Sequence, residues 1–402
     1  MKKILFVDDE PEVLERSKPM LAPFREEWGM TFVRSGQEAL SKLAQTSFGA
    51  VISDMRMPDM DGAQLLTEVR NRHPHVLRII FSDQDRDTTL RSVGSAHQCL
   101  PKSCDSTLFR AVVTRASAVH DLLDNEGLRK LVAGMQTLPS LPTLYRSLMD
   151  ELQSDDASIA TAAKIVAQDM GMVTKILQVV NSPFYGLRTH ISSAAQAVAL
   201  LGLDTIKSLV LSMKVFSQFE GQRQSFFSLD VLWQHGMVAS RHARAIAKNA
   251  QAEQRIVDDA LTVGLLHDVG LLVLATNLPE QYTESVALMH DRGIPEWQAE
   301  REVFGSTHAE VGGYLLGIWA LSDAVVEAVA FHHEPTRSMG QGFSALTAVH
   351  VANAIDEEEQ AASMSESPIV IDAEYLGMCG IGEKALTAWC EACFNGASRS
   401  SP

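Results

Sequence analysis

Six side chains in the first part of the chain could together move a phosphoryl group: Asp8, Asp9, Glu10, Asp54, Ser82 and Lys102. The three acids directly follow the apolar run Ile4–Val7, and Asp54 follows Ala50–Ile52. Ser82 closes Val76–Phe81, and Lys102 comes just after Cys99-Leu100. Carboxylates that converge in this way repel one another unless a hard divalent cation lies among them, and Mg²⁺ suits an oxygen-only site that keeps its waters. A carboxylate beside Mg²⁺, with an ammonium and a hydroxyl aimed at the same point, is a phosphoryl-acceptor site. There Asp54 would attack phosphorus, Mg²⁺ would neutralise the developing charge, and Ser82 and Lys102 would hold phosphoryl oxygens. Helix capping is the bland alternative for Asp and Ser, but it has no use for Lys102.

A second set is rich in histidine. His235 lies on one helix-period stretch and His267-Asp268 on another, and His308, His332-His333, His350 and Asn353 follow. Imidazoles and a carboxylate on separate helices facing one core can build a mono- or dinuclear metal site that activates a water for phosphodiester hydrolysis. The same residues can also be hydrogen-bonded core histidines with no ion. Both readings stay open at this level.

Strand-length apolar runs alternate with helix-period stretches over the first 120 residues. The runs are Ile4–Val7, Thr31–Val33, Ala50–Ile52, Val76–Phe81 and Cys99-Leu100; the helical stretches are Pro11–Glu27, Gln37–Ala44, Gly62–Arg72, Asp85–Val93 and Asp105–Ala118. Five such units imply an α/β, doubly wound, parallel five-stranded sheet, with its ligand site beyond the carboxyl ends of the strands. The chain then turns all-α, with helical spacing over Ile159–Val166, Met172–Val180, Ala194–Leu201, Ile206–Phe216, Val231–Ala250 and Ala260–Asn277, which predicts a helical bundle. Residues 1–119 form the first domain, and a connecting helix over 120–137 breaks near Gly134. The bundle takes 138–337, and 338–402 is a helical extension in which 356–368 reads as an acidic exposed loop and Tyr375–Phe394 as a helix.

Both domains resemble known families. VDDE (7–10), SDMRMPDMDG (53–62), Ser82 and Lys102 resemble the receiver domain of two-component response regulators. The resemblance implies phosphorylation of Asp54 by a sensor histidine kinase, with Mg²⁺ held by Asp9 directly, by Asp8 and Asp54, and by the Arg56 carbonyl. It also places Cys99 at the switch position, where the family usually carries an aromatic residue, and Ser103 where it usually carries proline, so a trans Lys102–Ser103 peptide is expected. LPSLP (138–142), NSPFYG (181–186), QAVALLG (196–202), LWQHG (232–236), GLLHDVG (264–270), HAEVG (308–312) and FHHEP (331–335) resemble an HDOD domain, an HD-like relative of the HD and HD-GYP phosphohydrolases. The enzymatic relatives imply Fe, Mn or Zn ligands at His235, His267, Asp268, His308, His332 and His333. Against catalysis, Leu271 stands where those enzymes carry lysine, the substrate loop after HHE is missing, and Asn353 stands for the late aspartate. These losses favour a signalling or protein-interaction output over an enzyme, with a phosphorylation-gated, metal-dependent phosphodiesterase or phosphohydrolase, for instance on cyclic-di-GMP, as the alternative.

Composition bounds the partners. The 402 residues are 46% hydrophobic and 21% charged, an ordinary folded composition. Lys plus Arg number 34 against 50 Asp plus Glu, and a net charge of −16 argues against nucleic acid as the main ligand. Protein partners, including a second copy of the chain, fit better. No uninterrupted apolar span and no signal-peptide core are evident, and five cysteines make no disulfide framework, which together predict a cytoplasmic protein without membrane insertion.

Overall fold

The computed structural model describes residues 2–21, 28–82, 96–104, 107, 109, 122–123, 125–135, 139–140, 142–154, 156–181, 190–213, 217–218, 228–319, 321–338, 340, 342–364 and 371–397. Five parallel strands, β1 (Lys2–Val7), β2 (Trp28–Val33), β3 (Ala50–Asp54), β4 (Leu77–Phe81) and β5 (Gln98–Leu100), lie in the order β2-β1-β3-β4-β5. Helices α1 (Pro11–Leu21), α2 (Gly36–Gln45) and α3 (Gly62–Arg72) connect them. The strands are apolar on both sides because both faces are covered. Phe6, Ile52, Ile79 and Phe81 pack with Val13 and Leu14 on one face. Leu5, Val51 and Ile80 pack with Leu40, Leu65 and Val69 on the other. The helix expected over Asp85–Val93 lies outside the described residues, as does Asp105–Ala118 except at positions 107 and 109.

The order reverses between β1 and β3, where a doubly wound sheet opens its ligand crevice. Register pairs Val7 with Ser53 and Asp54 with Phe81, so the acids after β1 and the end of β3 meet at that crevice.

After the short helix α4 (Glu126–Gly134) comes a helical unit. Its members are α5 (Pro142–Gln153), α6 (Ile159–Val166), α7 (Met170–Val180), α8 (Ala194–Met213), α9 (Leu229–Asn249), α10 (Gln254–Leu266), α11 (Val269–Asn277), α12 (Pro279–Arg292), α13 (Glu296–Phe304), α14 (His308–Ile318), α15 (Asp323–Phe331), α16 (Ala345–Met364), α17 (Ala373–Met378) and α18 (Glu383–Ala397). One apolar core runs through it, from Leu128 on α4 to Trp389 on α18. A two-residue parallel pairing of Pro139–Ser140 with Ser217–Gln218 is its one departure from an all-α unit among the described residues. No single described helix is long and apolar enough to cross a membrane.

Several expected boundaries change. The stretch expected as one helix over Ala260–Asn277 breaks at His267-Asp268, between α10 and α11. The two helices expected around Gly202 form one run, kinked there at φ 75°, which glycine tolerates. The acidic stretch expected as a loop from 356 is helical to Met364, because α16 is long enough to carry its apolar face onto α9 and α10 before the acids begin. The last helix is two, α17 and α18, with Gly380 in the left-handed region between them.

The two units meet through α4, which packs on α14 and touches α3. Arg78 of β4 is 2% exposed, and its guanidinium donates to the carbonyls of Pro74 (3.1 Å) and Ala133 (2.8 Å). Burial lowers its pKa to about 9, which leaves it charged at neutral pH. His97, just before β5, accepts the Arg78 backbone N–H at Nδ1 (3.2 Å), and its Nε2–H donates to Ala133 (3.0 Å). The Ala133 carbonyl belongs to the last turn of α4, which has no partner within its own helix, so both groups cap that end. Gln178 of α7 donates to the His97 carbonyl at 3.3 Å.

Burial first, then Arg78, holds the His97 pKa well below its ordinary 6.5. The unfolded chain therefore binds this proton near pH 6.5 while the folded chain refuses it. The stability His97 contributes is full above that pH and falls as the pH drops, by about 1.4 kcal/mol per unit. His97→Gln should flatten the dependence of urea-unfolding free energy on pH below 6.5 by about that slope, the other histidines cancelling in the comparison. An unchanged slope would mean that His97 is charged in the folded chain.

Candidate functional site

At the carboxyl edge of the sheet Lys102 joins two of the acids. Its Nζ lies 2.9 Å from Asp8 Oδ2 and 2.9 Å from Asp54 Oδ1, and 4.0 Å from Glu10. The backbone N–H of Arg56 donates to Asp54 Oδ2 at 2.8 Å, and that of Glu10 to Asp8 Oδ1 at 3.0 Å. Asp54 is thereby held from both sides with its carboxylate at the rim. Ser82 is half-buried; its backbone N–H donates to Leu100 (3.0 Å), and the Lys102 N–H donates to the Ser82 carbonyl (3.4 Å), so the two phosphoryl-holding candidates ride on tied strand ends. Asp9 is half-buried beside Asp8, and Arg34 donates to its carbonyl at 3.4 Å. The side chain of Cys99 lies outside the described residues. The Lys102–Ser103 peptide is trans.

The floor of this site is a close backbone approach. Gly62 opens α3 with its N–H on the Met55 carbonyl (2.9 Å), and a Cβ there would fall 2.2 Å from the Asp54 carbonyl oxygen. Burial raises the Asp8 pKa in spite of the hydrogen bond from Lys102. One ammonium therefore does not satisfy the buried negative charge, and a set of carboxylate and carbonyl oxygens with unmet demand for a cation fits Mg²⁺.

The histidine set converges inside the helical unit. His235 comes from α9, His267 and Asp268 from the break between α10 and α11, His308 from the first turn of α14, and His332-His333 from the end of α15. Each half of Asp268 faces its own imidazoles. Oδ2 lies 3.3 Å from His235 Nε2 and 3.4 Å from His267 Nε2; Oδ1 lies 3.4 Å from His308 Nε2 and 3.6 Å from His332 Nε2. His235 and His267 bring their Nε2 atoms 3.0 Å apart, and His308 and His333 do the same at 3.0 Å.

The outward nitrogens explain why the inward ones converge. Nδ1 of His267 donates to Gly264 (2.9 Å) and Nδ1 of His332 to Val329 (2.8 Å), each the carbonyl of its own last turn. Nδ1 of His235 meets Asp356 at 2.5 Å, and Nδ1 of His308 meets Glu300 at 2.8 Å. Imidazoles whose Nδ1 is committed to an oxygen present Nε2 lone pairs inward, the orientation a metal ligand needs. Trp297 stacks on the His333 ring at 6.3 Å.

Charge divides the set in two. Burial opposes a proton on His235, but Asp268 and Asp356 outweigh it and lift its pKa to about 10. At His308 burial is likewise outweighed, by Glu300 and Asp268, so that its pKa is raised well above 6.5. Burial lowers His267 to about 3 and also lowers His332 and His333. One positive charge is thus wanted on each side of Asp268, and the buried His332 Nε2 has no hydrogen-bond partner among the described residues. Two groups of ligand atoms share Asp268, those of each group lying within 4.8 Å of one another, and their imidazole and carboxylate donors are of the kind that would hold divalent transition-metal ions.

Asn353 stands on the inward side of the set, its Oδ1 3.3 Å from His267 Nε2. Sequence reading missed a carboxylate one helical turn further on, Asp356, which holds the outward Nδ1 of His235. It was concealed in an acid run read as a loop; the three-residue spacing from Asn353, which puts both on one helix face, was the available signal. Glu300 was also missed, and it accepts both the backbone N–H (2.7 Å) and Nδ1 of His308. His350 is not at the centre: its Nδ1 donates to the His332 carbonyl (2.8 Å), and its Nε2 accepts from Asp372 (2.9 Å).

The second site also rests on a close approach. A Cβ on Gly270 would lie 1.9 Å from the His308 carbonyl oxygen. Gly270→Ala should therefore cost about 3 kcal/mol and separate α11 from the start of α14. A thermal unfolding midpoint equal to the parent's would show that this contact is not tight.

A family model described as a response regulator receiver domain matches residues 4–114, and one described as an HDOD domain matches 138–335. An uncharacterized protein of Treponema pallidum is 25% identical over 243 residues, covering 57% of this chain and 44% of that protein. A response regulator receiver protein of Anaeromyxobacter sp. is 33% identical over 92 residues, covering 23% of this chain and 38% of its own length. The chain thus spans less than half the length of these relatives. The MmoQ response regulator structure from Methylococcus capsulatus is similar over 63% of this chain and 98% of its own, at 24% identity and a TM-score of 0.46. An HDOD domain protein from Geobacter sulfurreducens is similar over 67% of this chain and 88% of its own, at 23% identity and a TM-score of 0.38.

Proposed function

For this chain, a response regulator with a receiver domain and an HDOD output domain, we propose that Asp54 accepts a phosphoryl group from a sensor histidine kinase and thereby changes what the HDOD domain contacts. The observation that carries this reading is Lys102, whose ammonium bridges Asp8 and Asp54 at the sheet rim. Bound Mg²⁺, held by Asp8, Asp9, Asp54 and the Arg56 carbonyl, would neutralise charge on the transferring group. An Asp54 oxygen forms the new bond to phosphorus as the donor's P–N bond to histidine breaks, and the imidazole leaves. Lys102 is then drawn off Asp8 toward the phosphoryl oxygens, with Ser82 beside it, and the arriving dianion moves both strand ends. The −16 charge supports protein partners, a second copy among them, and we place the chain in the cytoplasm. A small-molecule donor, acetyl phosphate, tests the acceptor: with Mg²⁺ the intact mass should gain one phosphoryl group per chain, and with EDTA it should gain none. Equal uptake in both would remove the Mg²⁺ site from the reading.

A second reading, a metal-dependent phosphohydrolase gated by the receiver, is favoured by the five inward Nε2 atoms around Asp268. Ions held there, by His235, His267 and Asp268 on one side and by Asp268, His308, His332 and His333 on the other, would supply Lewis acidity. Leu271, buried where the enzymes carry lysine, leaves a substrate phosphate without that cation. Hydrolysis of bis(p-nitrophenyl) phosphate by Mn²⁺-loaded protein would support this reading, and its absence in metal-replete protein would leave the interaction module alone.

A further inference from the structure

Helix α4 is fastened at its two ends to different domains. At its C-terminal end, Arg78 and His97 hold the Ala133 carbonyl from β4 and from the residue before β5. The opposite ends of those strands carry Ser82 and Lys102, joined to each other through the Lys102 N–H and the Ser82 carbonyl. At its N-terminal end Asn125 acts twice: Oδ1 accepts the Leu128 N–H (3.1 Å) and caps the helix, while Nδ2 donates to the Phe304 carbonyl at 2.8 Å. Phe304 ends α13, Gly305 turns the chain at φ 68°, and Thr307 caps α14, whose first residue is His308.

We propose that α4 is a strut that couples the receiver rim to the seat of His308, with Asn125 the positioning residue at its output end. The inference rests on the reading of Asp54 as phosphoryl acceptor. A helix this short is marginal by itself, and caps at both ends are what make it stiff. It spans about 13 Å, and the run from Arg78 to Ser82 along β4 spans about as much again. Movement of Ser82 and Lys102 toward a phosphoryl group would pass along β4 and β5 to Arg78 and His97, both buried and both bonded to the Ala133 carbonyl, and from there through α4 to Asn125. Its pull on Phe304 acts four residues before His308, whose Nε2 sits 3.0 Å from His333 Nε2 and 3.4 Å from Asp268 Oδ1. Glu300, on the same α13, holds the other side of the His308 ring, so a shift of this helix end would move the ring with it.

Asn125→Asp isolates the output contact. Aspartate caps a helix about as well as asparagine but has no N–H for the Phe304 carbonyl. In the full chain with Mg²⁺, beryllofluoride stands in for the phosphoryl group, and hydrogen exchange is read by mass spectrometry. In the parent, exchange should change both around 97–104 and across 304–310. In Asn125→Asp, and in the shorter capping variant Asn125→Ser, the receiver change should persist and the 304–310 change should be lost. A purely structural role would alter exchange at 304–310 equally with and without beryllofluoride. The strut is overturned if either variant keeps the 304–310 response, or if the parent's receiver responds while 304–310 does not. No response at 97–104 in the parent would instead remove the acceptor reading, and the strut with it.

Discussion

A chain carrying Asp54→Asn should take up no phosphoryl group, from acetyl phosphate or from a phosphorylated kinase, under conditions that label the parent fully. The amide keeps the shape of the side chain and can still accept the Arg56 N–H, so the fold around β3 is preserved. What it lacks is an anionic oxygen able to attack phosphorus. It also withdraws one of the two carboxylates that hold Lys102, while Asp8 at 2.9 Å remains. The loss of stability should therefore be modest, about 1 kcal/mol, far from the cost of stranding a buried charge altogether. Intact-mass measurement and urea unfolding of the same preparation check both halves. Full labelling of the variant would show that another acid, such as Asp8, Asp9 or Glu10, is the acceptor.

Asp268→Asn should have the larger effect on the output domain. Four histidines direct Nε2 atoms at the two oxygens of Asp268, two on each side. An amide offers one oxygen and two N–H groups, so one side would meet donors where it needs an anion. Affinity for Mn²⁺ or Zn²⁺ should fall by about 100-fold or more, because second-sphere changes alone cost up to that much and this group lies at the centre. The parent's melting temperature should rise with added Mn²⁺ through binding to the folded state, and the variant's should not. Without metal, the charge favoured on His235 and His308 loses its shared counter-ion, which should cost about 3 kcal/mol. Equal metal content in both proteins after dialysis would reduce the histidines to a metal-free core network.

How much of this could be read from the residues depends on how locally each feature is written. The meeting of Asp8, Asp54 and Lys102 was legible because each stands at or just after the end of a strand, and a parallel sheet delivers strand ends to one rim. The break at His267-Asp268 was not, because apolar residues continue at helical spacing through both α10 and α11 and nothing local marks the turn. Asp356 was hidden in acids that look like a solvated loop, although α16 continues through them. Glu300 comes eight residues before His308, and only the fold of α13 against α14 shows that they touch. Arg78 is the least readable of all. Nothing in LRIIF marks its arginine for a role, whereas the structure buries it and sets its guanidinium as a cap on the end of α4. Tertiary contacts between distant segments carry no local signature in either composition or period.

Borohydride trapping offers the most direct examination of the acceptor. After incubation with Mg²⁺ and acetyl phosphate, reduction converts an aspartyl phosphate to homoserine, and peptide mapping locates it. The account predicts homoserine at the Asp54 position alone, in amounts that follow phosphoryl uptake. Homoserine at Asp8 or Asp9, or none at all in protein that binds Mg²⁺, would contradict it.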